Sequence, residues 1–217
     1  IQNWGNCNGF YVRNSWLHQI YDGACSSQHS IDSNLTSLIM KDIQVTDCLF
    51  ERNTASVEMW MNLTAEQSLH PELFAFEGMR VTGNLFRDIG YGFGNTRPGT
   101  AVFEDEAYAI TVGDGYQGAP GLGIRDCVMT DNVLWNSRRQ FISGLYWNTE
   151  KGYKLYDNTF FAKYDSAFAQ LSTDFDHISE WGYSKYAYSK EVLAMLTARG
   201  IIGSNTFLYY SAPAEQN

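Results

Sequence analysis

An all-β solenoid of about six stacked coils is the fold this sequence predicts, and three observations predict it. The first is a repeated phrase: Val81-Thr82-Gly83-Asn84-Leu85-Phe86 returns as Met129-Thr130-Asp131-Asn132-Val133-Leu134, as Leu155-Tyr156-Asp157-Asn158-Thr159-Phe160 and as Ile202-Gly203-Ser204-Asn205-Thr206-Phe207. Looser copies precede these, Val45-Thr46-Asp47-Cys48-Leu49-Phe50 and Val12-Arg13-Asn14-Ser15-Trp16-Leu17. The second is uneven spacing. The corners fall at 15, 48, 84, 132, 158 and 205, whereas a helical repeat array holds its length. A strand–corner–strand frame with loops that swell and shrink fits stacked β-coils. The third is the corner residue. Asn tolerates the left-handed backbone that most residues avoid, and its side chain can hydrogen-bond to the Asn of the next coil, making a ladder.

Composition bounds the function. Net charge is −9, from 15 basic and 24 acidic residues. That disfavours a nucleic-acid partner, because neutralising phosphates needs a basic surface, and disfavours a polyanionic polysaccharide unless Ca²⁺ mediates. Many of the six Trp and 14 Tyr fall between the expected strands, where flat aromatic faces suit sugar rings. The 217 residues suffice for one domain with a continuous core. The chain opens at Ile1 already inside a repeat, without the polar cap a solenoid end needs. It therefore reads as a single domain, 1–217, forming the later coils of a longer solenoid. No apolar run has membrane-spanning length. Cys7, Cys25, Cys48 and Cys127 fit no zinc template. Small thiols buried in the stack are expected before disulfides. Asn34-Leu35-Thr36 and Asn62-Leu63-Thr64 are sequons, meaningful only in a eukaryotic secretory pathway.

The repeated corner resembles that of the right-handed parallel β-helix superfamily, which includes pectate lyases, polygalacturonases, several other glycoside hydrolases and phage tailspikes. The resemblance spans residues 10–210 and implies a secreted, periplasmic or cell-surface protein. In that superfamily the corner joins the second and third sheets, and the first sheet follows. Laid on that scheme, the first-sheet strands are Ala24–Gln28, Ser56–Met61, Tyr91–Asn95, Gln140–Gly144 and Ala167–Leu171. Alternation points Val57 and Met59 inward and Glu58 and Trp60 outward. The same register points Cys25 and Ser27 outward in the preceding coil, Gly92 and Gly94 in the following one, then Gln140 and Ile142. Long loops follow at His29–Asp42, Asn62–Glu77, Thr96–Arg125 and Ser172–Gly200, and loops of this length are usually functional or disordered. The last contains one short helix. Ser189 caps it, Val192, Leu193 and Leu196 form its apolar stripe, and Gly200 stops it.

The first catalytic candidate is Glu58, a mid-strand acid that strand propensity does not explain. Trp60 stands beside it, and the glycines expected opposite leave a cleared floor. A carboxylate, a stacking platform and open space are what a glycosidase subsite needs. Asp22 precedes the first-sheet strand one coil earlier. It is either the second carboxylate or an ordinary Asp22-Gly23 turn residue. His29 at the exit of that strand is either a general base or a loop histidine, and Gln28 beside it can bond sugar hydroxyls. Asp105, Glu106 and Asp114 in the third loop can supply a second carboxylate or Ca²⁺ ligands. Tyr91, Arg97, Arg139 and Trp147 are placed to hold a sugar chain.

Two groups within the superfamily are unsupported. Its lyases use Arg or Lys near a Ca²⁺ cage of Asp on the first sheet, and only Glu58 is available there. Its polygalacturonases carry Asn-x-Asp, Asp-Asp and Gly-His-Gly, and none occurs. Phosphate loops, serine elbows and HExxH are also missing from the sequence. The expectation is therefore a glycoside hydrolase acting on a polysaccharide without a cofactor. A lyase using Arg97 or Arg139 with Ca²⁺, or a non-catalytic adhesin or tailspike-like scaffold, stands as the alternative.

Overall fold

The computed structural model describes residues 1–92, 108–114, 122–137, 140–143, 154–163, 167–169, 198, 200 and 202–210. Three sheets take up its strands. Sheet A contains β1 (Gln2–Trp4), β4 (Gly23–His29), β7 (Ala55–Met61), β11 (Tyr108–Asp114), β15 (Gln140–Ser143) and β18 (Ala167–Ala169), neighbours in that order. Sheet C contains β3 (Trp16–His18), β6 (Leu49–Glu51), β10 (Leu85–Ile89), β14 (Val133–Ser137), β17 (Thr159–Lys163) and β20 (Thr206–Tyr210). Sheet B contains β2 (Asn8–Arg13), β5 (Leu38–Thr46), β8 (Phe74–Glu77) with β9 (Arg80–Thr82), β12 (Gly123–Arg125) with β13 (Val128–Thr130), β16 (Lys154–Tyr156) and β19 (Ile202–Gly203). The pairings within all three are parallel. The described strands visit A, B and C in turn, and do so six times. The described residues are mostly β with very little helix: a 3-10 turn at Gln67–Leu69, and Ala198. The helix expected over 189–200 lies almost wholly outside the described residues. Gly200 does carry the positive φ (+66°) of a helix stop.

Inward residues build one core, because alternate residues of every strand face the same way. Val45, Val81, Met129 and Leu155 line sheet B, and Phe50, Phe86, Leu134 and Phe160 line sheet C, all essentially buried. Phe50 and Phe86 stack with centroids 4.9 Å apart and planes 10° from parallel. The Asn-x-Phe phrase thus places an amide at the corner and a ring in the core.

The corner forms the expected ladder. Asn84 Nδ2 donates to Asn132 Oδ1 (3.0 Å), Asn132 Nδ2 to Asn158 Oδ1 (2.9 Å) and Asn158 Nδ2 to Asn205 Oδ1 (3.0 Å). The second amide hydrogen goes back one pass, to the carbonyls of Val45, Val81 and Met129. Each Oδ1 also accepts the backbone N–H of the preceding corner residue: Cys48 to Asn84, Asn84 to Asn132, Asn132 to Asn158. Two donors and two acceptances exhaust the carboxamides of Asn132 and Asn158, so the middle of the buried column leaves nothing unmet. Cys48 ends the column, and its Sγ takes over the backward donation, to Val12 O (3.6 Å).

The left-handed conformation belongs to the residue before the corner, not to the corner Asn as expected. Asn14, Asp47, Gly83, Asp131, Asp157 and Ser204 have φ between 49° and 69°. Further left-handed columns follow sheet C (Gln19, Arg52, Asp88, Asn136) and bend sheet B (Asp42, Gly78, Asp126). The N–H groups of Asp47, Gly83 and Arg52 donate to Thr82, Thr130 and Arg87 carbonyls on the next pass. A left-handed residue turns the chain while its N–H stays along the stacking direction, which repays a conformational cost of roughly 1–2 kcal/mol.

Other expectations need correcting. Sheet A's strand in the fourth pass is Tyr108–Asp114, inside the stretch read as the third long loop, and not Tyr91–Asn95. Tyr91 is an exposed turn residue whose N–H donates to Asp88 O. Gly92 lies where a Cβ would sit 1.8 Å from the Arg52 carbonyl oxygen, so it is a close-contact glycine and not an open floor. Gly94 is outside the described residues. The first two long loops are shorter than expected, since β5 begins at Leu38 and β8 at Phe74. All four cysteines are free thiols, and Cys25, Cys48 and Cys127 are buried. Burial pushes the Cys25 thiol up to about 12 and that of Cys127 to about 11.

Two predictions follow from the packing. Asn132→Ala orphans buried groups on both neighbouring passes and lowers stability by about 2–4 kcal/mol in urea titration. Asn205→Ala, at the half-buried end of the column, costs distinctly less. Stability also falls at alkaline pH. The Cys25 thiol keeps its proton in the fold up to about 12 but ionises from 9.0 when unfolded. Stability is therefore complete below pH 9 and declines above it, by up to about 1.4 kcal/mol per pH unit from this thiol. Cys25→Ala should flatten that slope in chemical denaturation between pH 9 and 10.5.

Candidate functional site

The outer face of sheet A is set by register. Ser26 pairs with Glu58 and Gln28 with Trp60; on the other side Thr111 pairs with Glu58 and Gly113 with Trp60. Gln2 and Trp4 extend the two rows to β1, opposite Ser26 and Gln28. Val57 and Met59 are fully buried and point inward as expected, with Glu58 and Trp60 on the other face. The strand before them is one residue out of step with the expectation. Cys25 pairs with Val57 and Ser27 with Met59, so both point inward, and Ser26 and Gln28 point outward. Ile142 likewise shares the row of Ile110 and Val57. In β4 (Gly-Ala-Cys-Ser-Ser-Gln-His) side-chain size and polarity barely alternate. Ser26 is also buried despite facing outward, so no apolar pattern fixes the phase.

Glu58 is the centre of this face. Its Oε2 accepts from Ser26 Oγ (3.2 Å) and from Gln28 Nε2 (2.5 Å), both on the preceding strand. Gly23, at the entrance to β4, makes room for it: a Cβ there would lie 2.7 Å from Oε2. Asp22 is exposed and adjacent to Gly23 in the chain. With consecutive Cα atoms about 3.8 Å apart, the Asp22 Cα lies within about 8 Å of the Glu58 oxygen. Trp60 is fixed by its Nε1 donating to Asn62 Oδ1 (2.7 Å). Ser56, two residues before Glu58 and on its face by alternation, has a buried Oγ with no hydrogen-bond partner among the described residues. Buried hydroxyls are seldom left so.

The register neighbours of Glu58 distinguish it from the other strand glutamates, Glu77 and Glu51. Glu77 on sheet B lies between Lys41 and Arg125, at 3.1 and 3.2 Å. Hydrogen bonding to Lys41 holds its carboxyl below the usual range. Glu51 on sheet C lies between His18 and Arg87. Desolvation raises it, but the Arg87 hydrogen bond and charge win and leave it lowered. Glu58 lies between Ser26 and Thr111.

The remaining candidates divide. Gln28 and Trp60 join Glu58 on one face. His29 pairs with buried Met61, so the strand turns it to the inner side, away from Glu58. Its Nε2 is buried without a hydrogen-bond partner among the described residues. Tyr91 is not on a sheet A strand. Asp105, Arg97, Arg139 and Trp147 lie outside the described residues. Asp114, expected in a loop, is the last residue of β11. Gln2, Trp4, Ser26 and Gly23 were not among the expected site residues. A three-residue strand such as Gln2–Trp4 carries no periodicity to read. Among the described residues no group of three His, Cys, Asp or Glu is arranged to hold a metal ion. No helix there is long and apolar enough to cross a membrane.

Comparison with protein-family models, curated proteins and solved structures found no match.

Two glycines test this geometry. Gly92→Ala drives a methyl into a main-chain carbonyl and costs more than about 3 kcal/mol in thermal or urea unfolding. Gly23→Ala meets the movable end of Glu58 at 2.7 Å and, less severely, the Cβ atoms of Ser26 and Glu58 at 3.2 and 3.3 Å, and costs less. It displaces the carboxylate, which carboxyl ¹³C chemical shifts report.

Proposed function

We propose that this chain is a right-handed parallel β-helix of six coils, a member of the superfamily its corners resemble, and that it binds polysaccharide along the outer face of sheet A as a glycoside hydrolase. The observation that carries the reading is the setting of Glu58. A carboxylate stands mid-strand on an outward face, oriented by Ser26 and Gln28. A fixed indole lies two residues on, and a second acid is placed at the strand entrance. Glycosidases use two carboxyl groups about 5–10 Å apart, one as acid and the other as base or nucleophile. In this reading Glu58 is one, and Asp22, or Asp105 from the loop, is the other. Trp60 and Gln28 bind sugar, with Tyr91, Arg97, Arg139 and Trp147 as further candidates. Such a substrate lies outside the cell, which agrees with a secreted or surface-exposed protein.

One observation favours a second reading, a polysaccharide-binding scaffold without turnover. Glu58 Oε2 already accepts two hydrogen bonds from its own sheet, as a structural carboxylate does. The lyase alternative needs a Ca²⁺ cage, and the described residues offer none.

Glu58→Gln separates the two. Hydrolysis predicts release of reducing ends from a susceptible polysaccharide by the parent chain and a loss of about 10³-fold or more in the variant. Binding should stay within about twofold, since the amide oxygen still accepts from Ser26 and Gln28. Unchanged release of reducing ends in the variant would remove the catalytic role. Binding with no turnover by the parent chain would establish the scaffold.

A further inference from the structure

Among the described residues, no lysine or arginine lies in a strand of sheet A. Sheet B strands carry Arg13, Lys41, Arg80, Arg125 and Lys154, and sheet C strands carry Arg87 and Lys163. The acids in the described strands of sheet A are Glu58 and Asp114. A uronate or sulfated glycan lying on the described strands of this face would meet a carboxylate and no strand-borne cation, an unfavourable exchange for its water. The face is otherwise built from neutral hydrogen-bonding groups and indoles. Its outer row reads Trp4, Gln28, Trp60, Gly113 across four adjacent strands. Parallel neighbours stand about 4.8 Å apart, so the two indoles are about 10 Å apart along the stacking direction, with an amide between them. Trp4 is 57% exposed and Trp60 half-buried. In an extended β-linked glycan the ring faces alternate, and every second ring presents the same face at a spacing close to this one.

We infer that the ligand of this face is a neutral, extended β-linked polysaccharide running across the strands, with alternate rings on Trp4 and Trp60 and the ring between them hydrogen-bonded by Gln28. The inference rests on the glycan-binding reading of sheet A proposed above and adds the charge class, direction and register of the chain. Glu58, half-buried in the inner row and held by Ser26, then lies beside the same sugars.

The test uses the full chain in affinity electrophoresis through gels containing neutral β-linked polysaccharides (hydroxyethylcellulose, glucomannan, arabinoxylan) or acidic ones (polygalacturonate, alginate), with and without Ca²⁺. Calorimetry with neutral oligosaccharides of increasing length follows. Neutral polymers should retard the protein and acidic ones should not, with or without Ca²⁺. Affinity should rise about tenfold once the oligosaccharide spans both indoles. Trp4→Ala should abolish that rise while leaving binding of the short sugar unchanged. Trp60→Ala should weaken both, and Trp60→Phe should restore most of the loss. Preferential retardation by the acidic polymers, sensitive to Trp60→Ala, would overturn the neutral-ligand inference and leave the sheet A site standing. No retardation by polymers of either charge, with thermal melting showing a folded protein, would overturn the site itself. Affinity independent of length would overturn the two-indole register.

Discussion

The structure depends on one constraint: each pass must give its backbone hydrogen bonds to the next pass in parallel register. Within the sheets this is ordinary ladder pairing. At the bends, where a chain usually turns to solvent or side chains, the demand persists, because the corner backbone is covered and a buried N–H without a partner is costly. Single left-handed residues meet it at the bends and keep each amide aimed along the stack. At the innermost corner the backbone alone does not suffice, and a side chain completes the ladder. Asn is suited to that place because it is self-complementary. One end donates, the other accepts, and a column of copies satisfies itself with only its two ends left over.

Register has a second consequence. It sets equivalent positions about 4.8 Å apart, so like is placed on like. That suits Phe on Phe and Asn on Asn and penalises charge on charge. Outward columns accordingly set opposite charges side by side: Lys41, Glu77, Arg125 on sheet B and Glu51, Arg87 on sheet C. These bridges are largely exposed and contribute little singly. Their value is that they let charged strands stack at all. Sheet A follows another rule. Its described strands carry no cation, and its mid-strand acid is flanked in register by Ser26 and Thr111. Charge alternation along the stack accounts for Glu77 and Glu51, whereas the register neighbours of Glu58 are hydroxyl residues.

The sequence made the frame legible wherever position in the repeat and chemistry coincide. Asn84, Asn132, Asn158 and Asn205 with their Phe or Leu two residues on announced both the ladder and the core column. The inward Val57 and Met59 and the outward Glu58 and Trp60 were legible because β7 alternates strongly. Three things were not. β4 is small and polar on both faces, so its phase had no signature and Ser26 and Gln28 were exchanged for Cys25 and Ser27. The glycines of Tyr91–Asn95 suggested a cleared floor, yet Gly92 is small because the Arg52 carbonyl crowds it. The left-handed residue was assigned to Asn, although Asp and Gly in the preceding position are equally able to adopt it. Each failure concerns a residue whose role is set by a neighbour on another pass, which no local pattern encodes.

Those failures bear on the site itself. Moving the fourth strand of sheet A to Tyr108–Asp114 takes Gly92 and Tyr91 away from Glu58. In their place come Thr111 and Gly113 on one side and, through the corrected phase of β4, Ser26 and Gln28 on the other. The carboxylate thereby gains oriented donors. Gly23 becomes intelligible as well, since any side chain at the entrance of β4 would occupy the volume of Oε2. A carboxylate held by a serine, an amide and a reserved space keeps its direction, and fixed direction is what either a proton-transferring group or a sugar-binding acceptor requires.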